Sequence, residues 1–351
     1  MSSVIVSFII PSYNSRQTVE RCLDSIYALS LKEEAFEVIF IDDCSTDNTY
    51  NIAETYQIKY HNFTLLRQPI NKRQGAARNR GISVAKGEYI CFVDSDDVVA
   101  EGIVAAIYLA KTGRMDMVVF HFGHANEHGI LTSEAEKITL SSKKSVFTGV
   151  EMQNKHAYWC SAPWGYIYKT AYVKKVNYPF AEGVLYEDSD FVVVHLYYAQ
   201  RMAYSPELGY IAYYREGSTT HSTSYKNTAD YFFLGSRMLA LYTTIQHDID
   251  LHIRNEDGIQ QFADGVLEGA IHNVTMSLKR LFKLNTPAEI IRYYKRIDSQ
   301  VDRCAIYNDP RMYKFTYCWS KMAHIGIRHK YLSFLINSCL LTAYQLYIKL
   351  K

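Results

Sequence analysis

The chain has 351 residues, of which 48% are hydrophobic, 21% are charged and only seven are proline. This composition excludes collagen-like, low-complexity and disordered chains, and the length suffices for one large domain or two ordinary ones. The net charge of +2 is unevenly distributed, because residues 1–310 hold 31 basic and 36 acidic residues, whereas residues 311–351 hold seven basic residues and no acidic one. An acidic body argues against a general nucleic-acid-binding protein, and the basic tail indicates contact with an anionic surface.

Helices and strands alternate in the first third of the sequence. Short β-rich apolar runs are separated by segments of helical period between residues 4 and 120, which is typical of a parallel sheet with crossover helices. Helices are predicted near residues 15–29, 47–57, 74–86 and 98–110, the second after a Ser-Thr-Asp cap at residues 45–47. The predicted strands are Val4 to Ile10, Phe36 to Ile41, Phe63 to Arg67, Glu88 to Val93 and Met115 to Phe120.

The remainder of the chain changes from mixed to helical character. Residues 121–160 predict loops with a hairpin, and Tyr210 to Arg215 predict a strand. Beyond residue 225, apolar residues recur near a 3.6-residue period, and Thr286 to Glu289 form a capping box that predicts a further helix start. We therefore expect an α/β domain over residues 1–222 and a helical region over residues 223–351.

The basic tail contains a segment without charge. Residues 331–348 carry a polar stripe at helical spacing and are flanked by Arg328, Lys330, Lys349 and Lys351. This pattern favours an amphipathic helix that lies on an anionic membrane over one that spans it. Packing of the same apolar face on the rest of the chain, or on a second subunit, is an equal alternative.

The cysteines and the amino-terminal segment both favour a cytoplasmic protein. Seven cysteines form an odd set without a Cys-x-x-Cys pair, which indicates neither a disulfide framework nor a zinc site. The apolar run at Val4 to Ile10 is short, follows no basic residue and leads into Pro-Ser-Tyr-Asn, so we interpret it as a buried strand and not as a signal peptide.

Two clusters of acidic residues follow predicted strands. Asp42 and Asp43 come after the second strand, and Asp94, Asp96 and Asp97 come after the fourth. Ligands of open α/β sheets bind at the carboxyl ends of the strands, where crowded carboxylates repel one another unless a cation or a hydrogen-bonding ligand is present. We therefore predict a site for a hard metal ion with oxygen ligands. The sequence lacks the glycine-rich phosphate loops of P-loop enzymes, kinases and simple dinucleotide-dependent dehydrogenases.

Four segments resemble the family 2 glycosyltransferases in sequence, order and spacing. They are Pro11–Asn14, Ile41–Asp47, Gly75–Gly81 and Phe92–Asp97. The resemblance continues in residues 164–169 and 186–188, so that it covers roughly residues 4–220 and leaves the tail uncovered. One departure is Cys44, which stands where the family usually has glycine and leaves both neighbouring aspartates in place.

The resemblance implies a fold and a donor. The fold is GT-A, a Rossmann-like α/β fold with a mostly parallel sheet and flanking helices, and the donor is a nucleotide-sugar. The matching positions imply that Pro11 and Tyr13 flank the nucleotide base and that Asp42 or Asp43 hydrogen-bonds the uracil edge. Arg78 is expected to reach the donor nucleotide.

The resemblance also implies a divalent metal cofactor, manganese or magnesium, and an inverting single displacement. In the Asp-x-Asp motif, Asp94 would hold the ribose side, and Asp94 with Asp96 would form the metal site, Asp96 binding the ion that bridges the diphosphate. Asp188 matches the position of the general base, which takes the proton of the attacking hydroxyl. Glu187 and Asp190 are the next candidates for that role.

Several residues near these motifs have simpler interpretations. Asp97 is expected to cap the following helix, and Trp164 is expected either in the core or at an acceptor cleft. His221 is a weak candidate for an extra metal ligand. Residues 213–219 resemble the segment that closes over the donor.

We expect a metal-dependent glycosyltransferase of the hexosyltransferase type. It would move a sugar from a nucleotide-sugar, such as a UDP-sugar, to a hydroxyl of a glycan or lipid-linked glycan in cell-surface polysaccharide synthesis, at the inner face of the cell membrane. One alternative is a non-catalytic nucleotide-sugar-binding subunit, from which only Asp188 distinguishes an enzyme. A phosphatase of the haloacid-dehalogenase type is less favoured, because Val98 stands where that class needs threonine.

Overall fold

The computed structural model describes residues 4–134, 145–156, 162–214, 225–281 and 292. The chain divides into two compact units, of which the first contains residues 1–221 and 255–262 and the second contains residues 222–254 and 263–351. The predicted helix start at residues 286–289, the predicted helix at 331–348 and His221 all lie outside the described residues.

One sheet of nine described strands organises the first unit. The strands are β1 (Val6–Ser12), β2 (Phe36–Asp42), β3 (Phe63–Arg67), β4 (Tyr89–Phe92), β5 (Val98–Val99), β6 (Met117–Ala125), β7 (Leu131–Glu134), β8 (Tyr166–Lys169) and β9 (Met202–Tyr213). Their order in the sheet is β3-β2-β1-β4-β8-β6-β9-β5, and β7 pairs with β6. The helices are α1 (Val19–Tyr27), α2 (Thr49–Lys59), α3 (Arg73–Val84), α4 (Gly102–Gly113), α5 (Gly149–His156), α6 (Thr170–Val176), α7 (Asp188–Tyr198), α8 (Tyr225–Asp250) and α9 (Ile259–Leu281).

The first half of the sheet is the predicted parallel arrangement. Strands β3, β2, β1 and β4 pair in parallel, and α1, α2 and α3 connect them in sequence. Every residue of β1 and β2 is buried, which explains their continuous apolar runs. The predicted strands and helices of this half are confirmed to within a few residues at each end.

The second half of the sheet is mixed. Strand β8 lies antiparallel between β4 and β6, and β9 runs parallel to β6. The sequence pattern predicted a strand near β6 and, at Tyr210 to Arg215, a strand that overlaps the end of β9. It predicted neither β8 nor the pairing of these strands, because periodicity does not specify which distant strands pair. The predicted hairpin after residue 121 is β6–β7, and α5 is a short helix in an interval predicted as loops.

The second unit begins with two helices. α8 occupies residues 225–250, and α9 crosses into this unit from residue 263 onward. Within the unit, Gly269 lies against Met238, and the Ser277 hydroxyl donates to the Thr228 carbonyl at 2.6 Å. The prediction of helical structure is confirmed up to residue 281. Across the described ranges, no helix is both long and apolar enough to cross a membrane.

Candidate active site

The carboxyl ends of β1 and β2 are connected by an asparagine. Asn14 adopts the left-handed conformation with φ of 51°. Its backbone N–H donates to the Ser45 hydroxyl at 3.0 Å, and its side-chain oxygen accepts from the Thr46 N–H at 2.9 Å. These bonds fix the loop after β1 against the loop after β2. Pro11, in β1, is buried and pairs with Ile41 of β2. Tyr13, in the loop after β1, is 47% exposed at the edge of the sheet.

The two aspartates after β2 are buried and hydrogen-bonded. Asp42 accepts from the Ser45 N–H and pairs with Arg67 at 3.3 Å. Asp43 accepts from the Gln68 side-chain amide and from the Lys72 N–H, both at 2.8 Å. Burial raises the pKa of Asp43 against the opposing effect of these hydrogen bonds. Both carboxylates are therefore held at the sheet edge in fixed orientations.

Cys44, between Asp43 and Ser45, occupies a turn that favours glycine. Its φ is 63°, in the left-handed region. A side chain in that region costs on the order of 1 kcal/mol relative to glycine. The family's usual glycine at this position thus has a conformational reason, and this chain tolerates the cysteine without moving either aspartate out of the edge.

The loop after β4 is anchored by a buried tyrosine. The Tyr210 hydroxyl accepts from the Asp94 N–H at 3.1 Å and donates to Asp97 Oδ2 at 2.7 Å. Asp97 Oδ1 accepts from the Tyr213 N–H at 2.7 Å. The prediction that Asp97 caps the next helix is wrong, because its carboxylate is buried against β9 and α4 begins only at Gly102. Burial raises the pKa of Asp97, and the charges of Asp94 and Asp96 act in the same direction.

Further contacts hold the same loop from α1. The Arg21 guanidinium lies 3.6 Å from the centre of the Tyr213 ring and donates to the Asp96 carbonyl at 2.5 Å. The Ser15 and Ser95 hydroxyls are 2.8 Å apart. Asp94 and Asp96 remain partly exposed, in contrast to the buried Ser95 and Asp97. The loop therefore leaves Asp94 and Asp96 partly accessible, and Ser95 and Asp97 anchor it to neighbouring elements.

Arg78 of α3 is buried and connects two carboxylates that are distant in sequence. Its Nη2 donates to Asp94 Oδ1 at 2.8 Å, and its Nη1 donates to Glu187 Oε1 at 2.6 Å. Burial alone would lower the pKa of this guanidinium, but the charges of Asp94, Glu187 and Asp188 raise it. The predicted contact between Arg78 and the nucleotide stays a prediction.

The predicted base lies at the amino terminus of α7. Asp188 is the first residue of the helix and is partly buried, and Glu187 before it is buried. Tyr186 precedes them with φ of 63°. Burial raises the pKa of Glu187 to about 7 against the charge of Arg78. Burial also raises the pKa of Asp188, with Arg78 opposing the shift and Asp94 adding to it.

Asp190 belongs to the interior, whereas Trp164 is partly buried. Asp190 is fully buried, and its Oδ2 accepts from the Tyr178 hydroxyl at 2.7 Å. The Trp164 ring packs against the core: it stacks on Tyr210 with centroids 4.5 Å apart and contacts Phe122 edge-on. A position of Trp164 at an acceptor cleft stays a prediction.

The residues present suit a cation that is shared with a phosphate ligand. In the part of the chain that the structure describes, no three His, Cys, Asp or Glu side chains are grouped to hold a metal ion. Magnesium-like ions bind through one or two carboxylates together with substrate phosphates. Asp94 and Asp96 offer such a pair of oxygen ligands, and both are partly exposed.

Sequence reasoning missed Arg21, Tyr210 and Gln74 as parts of this site. Tyr210 lies 116 residues from Asp94, and Arg21 lies 75 residues from Asp96. Gln74 accepts from Arg78 Nη2 at 3.3 Å and stood just before a recognised motif. Of these three residues, only Gln74 adjoins a recognised motif, and this position was the one feature of the sequence that could have identified it.

Comparison with known proteins assigns part of this chain to a family. Residues 7–170 match the sequence profile of Glycosyl transferase family 2, and this segment belongs to that family. Residues 1–349 of TarS from Staphylococcus aureus, crystallised with UDP-GlcNAc, share the fold with a TM-score of 0.61 and 22% identity over 93% of this chain and 92% of that one. The fold is therefore GT-A, as predicted.

Curated relatives match shorter parts of the chain. Poly(ribitol-phosphate) beta-glucosyltransferase from Bacillus spizizenii is 35% identical over 149 residues, which are 41% of this chain and 24% of that protein. The uncharacterised glycosyltransferase YibD from Escherichia coli is 28% identical over 228 residues, which are 63% of this chain and 65% of that protein. The chain thus spans between about a quarter and two thirds of the length of these relatives.

Proposed function

We propose that this protein is an inverting glycosyltransferase that moves a sugar from a UDP-sugar to a hydroxyl of a cell-surface glycan or lipid-linked glycan. The observation that carries the proposal is the ion-paired group of Asp94, Arg78 and Glu187. It brings the Asp-x-Asp loop and the start of α7, where Asp188 lies, into one site. A donor-binding motif and a base candidate are thus joined by direct contacts.

The donor side is assigned to the edge formed by β1, β2 and β4. Pro11 and Tyr13 would flank the base, Asp42 or Asp43 would accept from the uracil N–H, and Asp94 would hold the ribose side. Asp94 and Asp96 would hold a manganese or magnesium ion, which offsets the charge that develops on a diphosphate leaving group. Their partial exposure and carboxylate chemistry support this assignment.

The acceptor side is assigned to Asp188. Its carboxylate would accept the proton of the attacking hydroxyl as the new glycosidic bond forms. Burial raises the pKa of Asp188, which makes it a stronger base than a carboxylate in water, and the charge of Arg78 opposes this shift. Asp190 is a weaker candidate, because its carboxylate is fully buried and hydrogen-bonded to Tyr178. The relatives from B. spizizenii and S. aureus are poly(ribitol-phosphate) glycosyltransferases, which supports a cell-surface polymer as acceptor.

A panel of nucleotide-sugars tests the proposal. Thermal unfolding with and without manganese identifies the donor, because a ligand that binds only the folded state raises the melting temperature. UDP release from that donor then distinguishes an enzyme from a non-catalytic binding subunit. We expect one UDP-sugar to stabilise the protein in a metal-dependent manner and to be consumed. Stabilisation without UDP release, with any hydroxyl acceptor supplied, would favour the binding subunit.

The basic tail is proposed to hold the protein at the inner face of the cell membrane, where lipid-linked acceptors lie. Each basic residue that flanks residues 331–348 adds about 1 kcal/mol of attraction to an anionic leaflet. We expect the full-length protein to float with anionic vesicles at low salt and a truncation after Asp309 to remain at the bottom of the gradient. Equal flotation of both forms, or of neither, contradicts membrane contact through the tail.

A further inference from the structure

Helix α3 contacts both loops of the proposed site. On one side, Arg78 donates to Asp94 of the loop after β4. On the other side, Asn79 is bonded twice to the backbone of Phe180: its Oδ1 accepts from the Phe180 N–H at 2.9 Å, and its Nδ2 donates to the Phe180 carbonyl at 3.0 Å. The Gly183 N–H donates to the Lys72 carbonyl just before α3 begins. A single helix is therefore attached to the donor-side loop and to the segment that leads into α7.

Helix α3 packs so closely against residues 178–187 that a side chain larger than glycine does not fit at position 75. A Cβ at Gly75 would collide with the Ala181 carbonyl and would lie 3.0 Å from Glu187 Cγ. The guanidinium of Arg78 lies 5.3 Å from the centre of the Phe180 ring, so the same segment covers it. Glycine at position 75 permits the close contact on which the Arg78–Glu187 pair depends.

The charges explain why an arginine occupies this position. Asp94, Glu187 and Asp188 are close enough for each to act on the Arg78 guanidinium, and three carboxylates without a cation would repel one another. Arginine presents its nitrogens in a fixed fork, so one buried side chain bonds two carboxylates in separate loops. A lysine carries the same charge without the fork.

We propose that Arg78 is a positioning residue that sets the distance between the donor-side carboxylate Asp94 and the base Asp188. It does so by bonding Asp94 and Glu187, the neighbour of Asp188, without touching the donor. The proposal rests on the proposed function for the roles of Asp94 and Asp188. Under this proposal, residues 75–79 of α3 hold the donor and acceptor sites at a fixed distance from each other.

Hydrogen exchange of the free protein tests the link independently of any ligand. We compare the wild type with Arg78→Lys, and use Arg80→Lys as the matched control, because Arg80 lies one position beyond Asn79 and donates only to the Arg67 carbonyl among the bonds described. We expect Arg78→Lys to accelerate exchange in residues 94–97 and in residues 178–187, with the control unchanged. Unaltered exchange in either segment would overturn the proposal.

Double-variant cycles test whether Arg78 acts through the carboxylates. We expect Arg78→Lys to weaken UDP binding by about 10–100-fold, the usual cost of losing a partner that orients a ligating group, and to have no further effect in an Asp94→Asn background. Turnover should likewise fall on the order of a hundredfold and fall no further in an Asp188→Asn background. If Arg78→Lys weakens UDP binding equally with and without Asp94, Arg78 contacts the nucleotide itself and the proposal is wrong.

Asn79→Ala provides a second variant that removes no charge. It removes the bonds to the Phe180 backbone and to the Glu182 carboxylate, both in the segment that leads into α7. Turnover should therefore fall while the affinity for UDP stays within about twofold. An equal loss of turnover and of UDP affinity would contradict the proposal that Asn79 supports only the acceptor side of the site. If the wild type binds no UDP and consumes no donor, the proposed function fails, and the exchange experiment alone decides whether α3 links the loops.

Discussion

Acidic residues that are neighbours in sequence have different environments in this site. In the run Asp94 to Asp97, Asp94 and Asp96 are partly exposed, whereas Ser95 and Asp97 are buried and bonded to other loops. In the Glu-Asp pair, Glu187 is buried against Arg78 and Asp188 begins a helix. Residues 94–97 form a turn in which the Asp97 N–H donates to the Asp94 carbonyl at 3.0 Å, so adjacent side chains have different surroundings. In each motif, some residues are thus accessible at the site, and their neighbours in sequence are buried and hold the loop in place.

At this scale we first predict the effect of Asp188→Asn. The amide keeps the shape of the carboxylate and loses its basicity, so turnover should fall by a factor on the order of a hundred or more while donor affinity stays nearly unchanged. UDP release and calorimetric binding measure the two quantities. The exposed Asp257 offers a control as Asp257→Asn, which should leave both quantities unaltered. Normal turnover in Asp188→Asn would place the base elsewhere.

A second substitution concerns the metal. Asp96→Ala should abolish the manganese dependence of UDP binding, because it removes one of the two proposed oxygen ligands. The melting temperature without ligand should be close to that of the wild type, since the Asp96 side chain is partly exposed. A binding isotherm that still responds to manganese as in the wild type rules out Asp96 as a ligand.

At the scale of elements, β9 supports the loop after β4 through Tyr210. Tyr210→Phe would leave the Asp94 N–H without its acceptor and Asp97 Oδ2 without its donor, in a buried environment. The expected loss is about 1–3 kcal/mol of unfolding free energy, together with weaker UDP binding. Urea unfolding measures the stability, and Tyr108→Phe, at a position 45% exposed on α4, serves as the control. Equal stability of both variants would mean that the loop does not depend on β9.

The elements themselves differ in how far the sequence predicts them. Strands β1 to β4 and helices α1 to α4 follow from local periodicity, because each buries a face whose spacing is visible within a few residues. The start of the fourth helix is an exception, because residues 98–99, predicted as helix, form β5 and pair with β9. The insertion of β8 between β4 and β6 is not local, since it depends on pairing between Ile90 and Tyr168. Short helix α5 carries too little periodic pattern to be recognised.

The candidate site divides in the same way. The motifs around Asp42, Asp94 and Asp188 were recognised because each is contiguous in sequence. The bond between Arg78 and Glu187 spans 109 residues, and no local pattern indicates that a helix surface and a helix start meet. Burial of Asp97 was missed for the same reason, because its partners Tyr210 and Tyr213 belong to β9.

At the scale of the whole folded domain, His195 predicts sensitivity to acid. The ring is fully buried, its Nδ1 donates to the Phe191 carbonyl at 2.8 Å, and burial lowers its pKa to about 4. The unfolded chain takes up a proton near pH 6.5, whereas the folded chain does so only near pH 4. Stability contributed by the neutral ring is therefore present above pH 6.5 and lost as the pH falls toward 4, by about 3 kcal/mol.

The comparison of two variants isolates this contribution. We measure the unfolding free energy between pH 7 and pH 4 for the wild type, for His195→Leu and for His128→Gln, whose side chain is 75% exposed. The decrease should be smaller by about 3 kcal/mol in His195→Leu and unchanged in His128→Gln. Parallel curves for the wild type and His195→Leu would show that the buried imidazole does not govern acid stability.

The attachment of residues 178–187 to α3 has a consequence for anyone who redesigns this protein. The segment looks like an ordinary surface connection, the kind into which an engineer would graft a longer loop to admit a bulkier acceptor. The segment is hydrogen-bonded at Gly183 and at Phe180 and packs against Gly75, so its attachments to α3 fix its length. An added residue there would strain all three attachments or displace Asp188. Insertions meant to enlarge the substrate range should therefore be made in other loops, and residues 178–187 should keep their natural length.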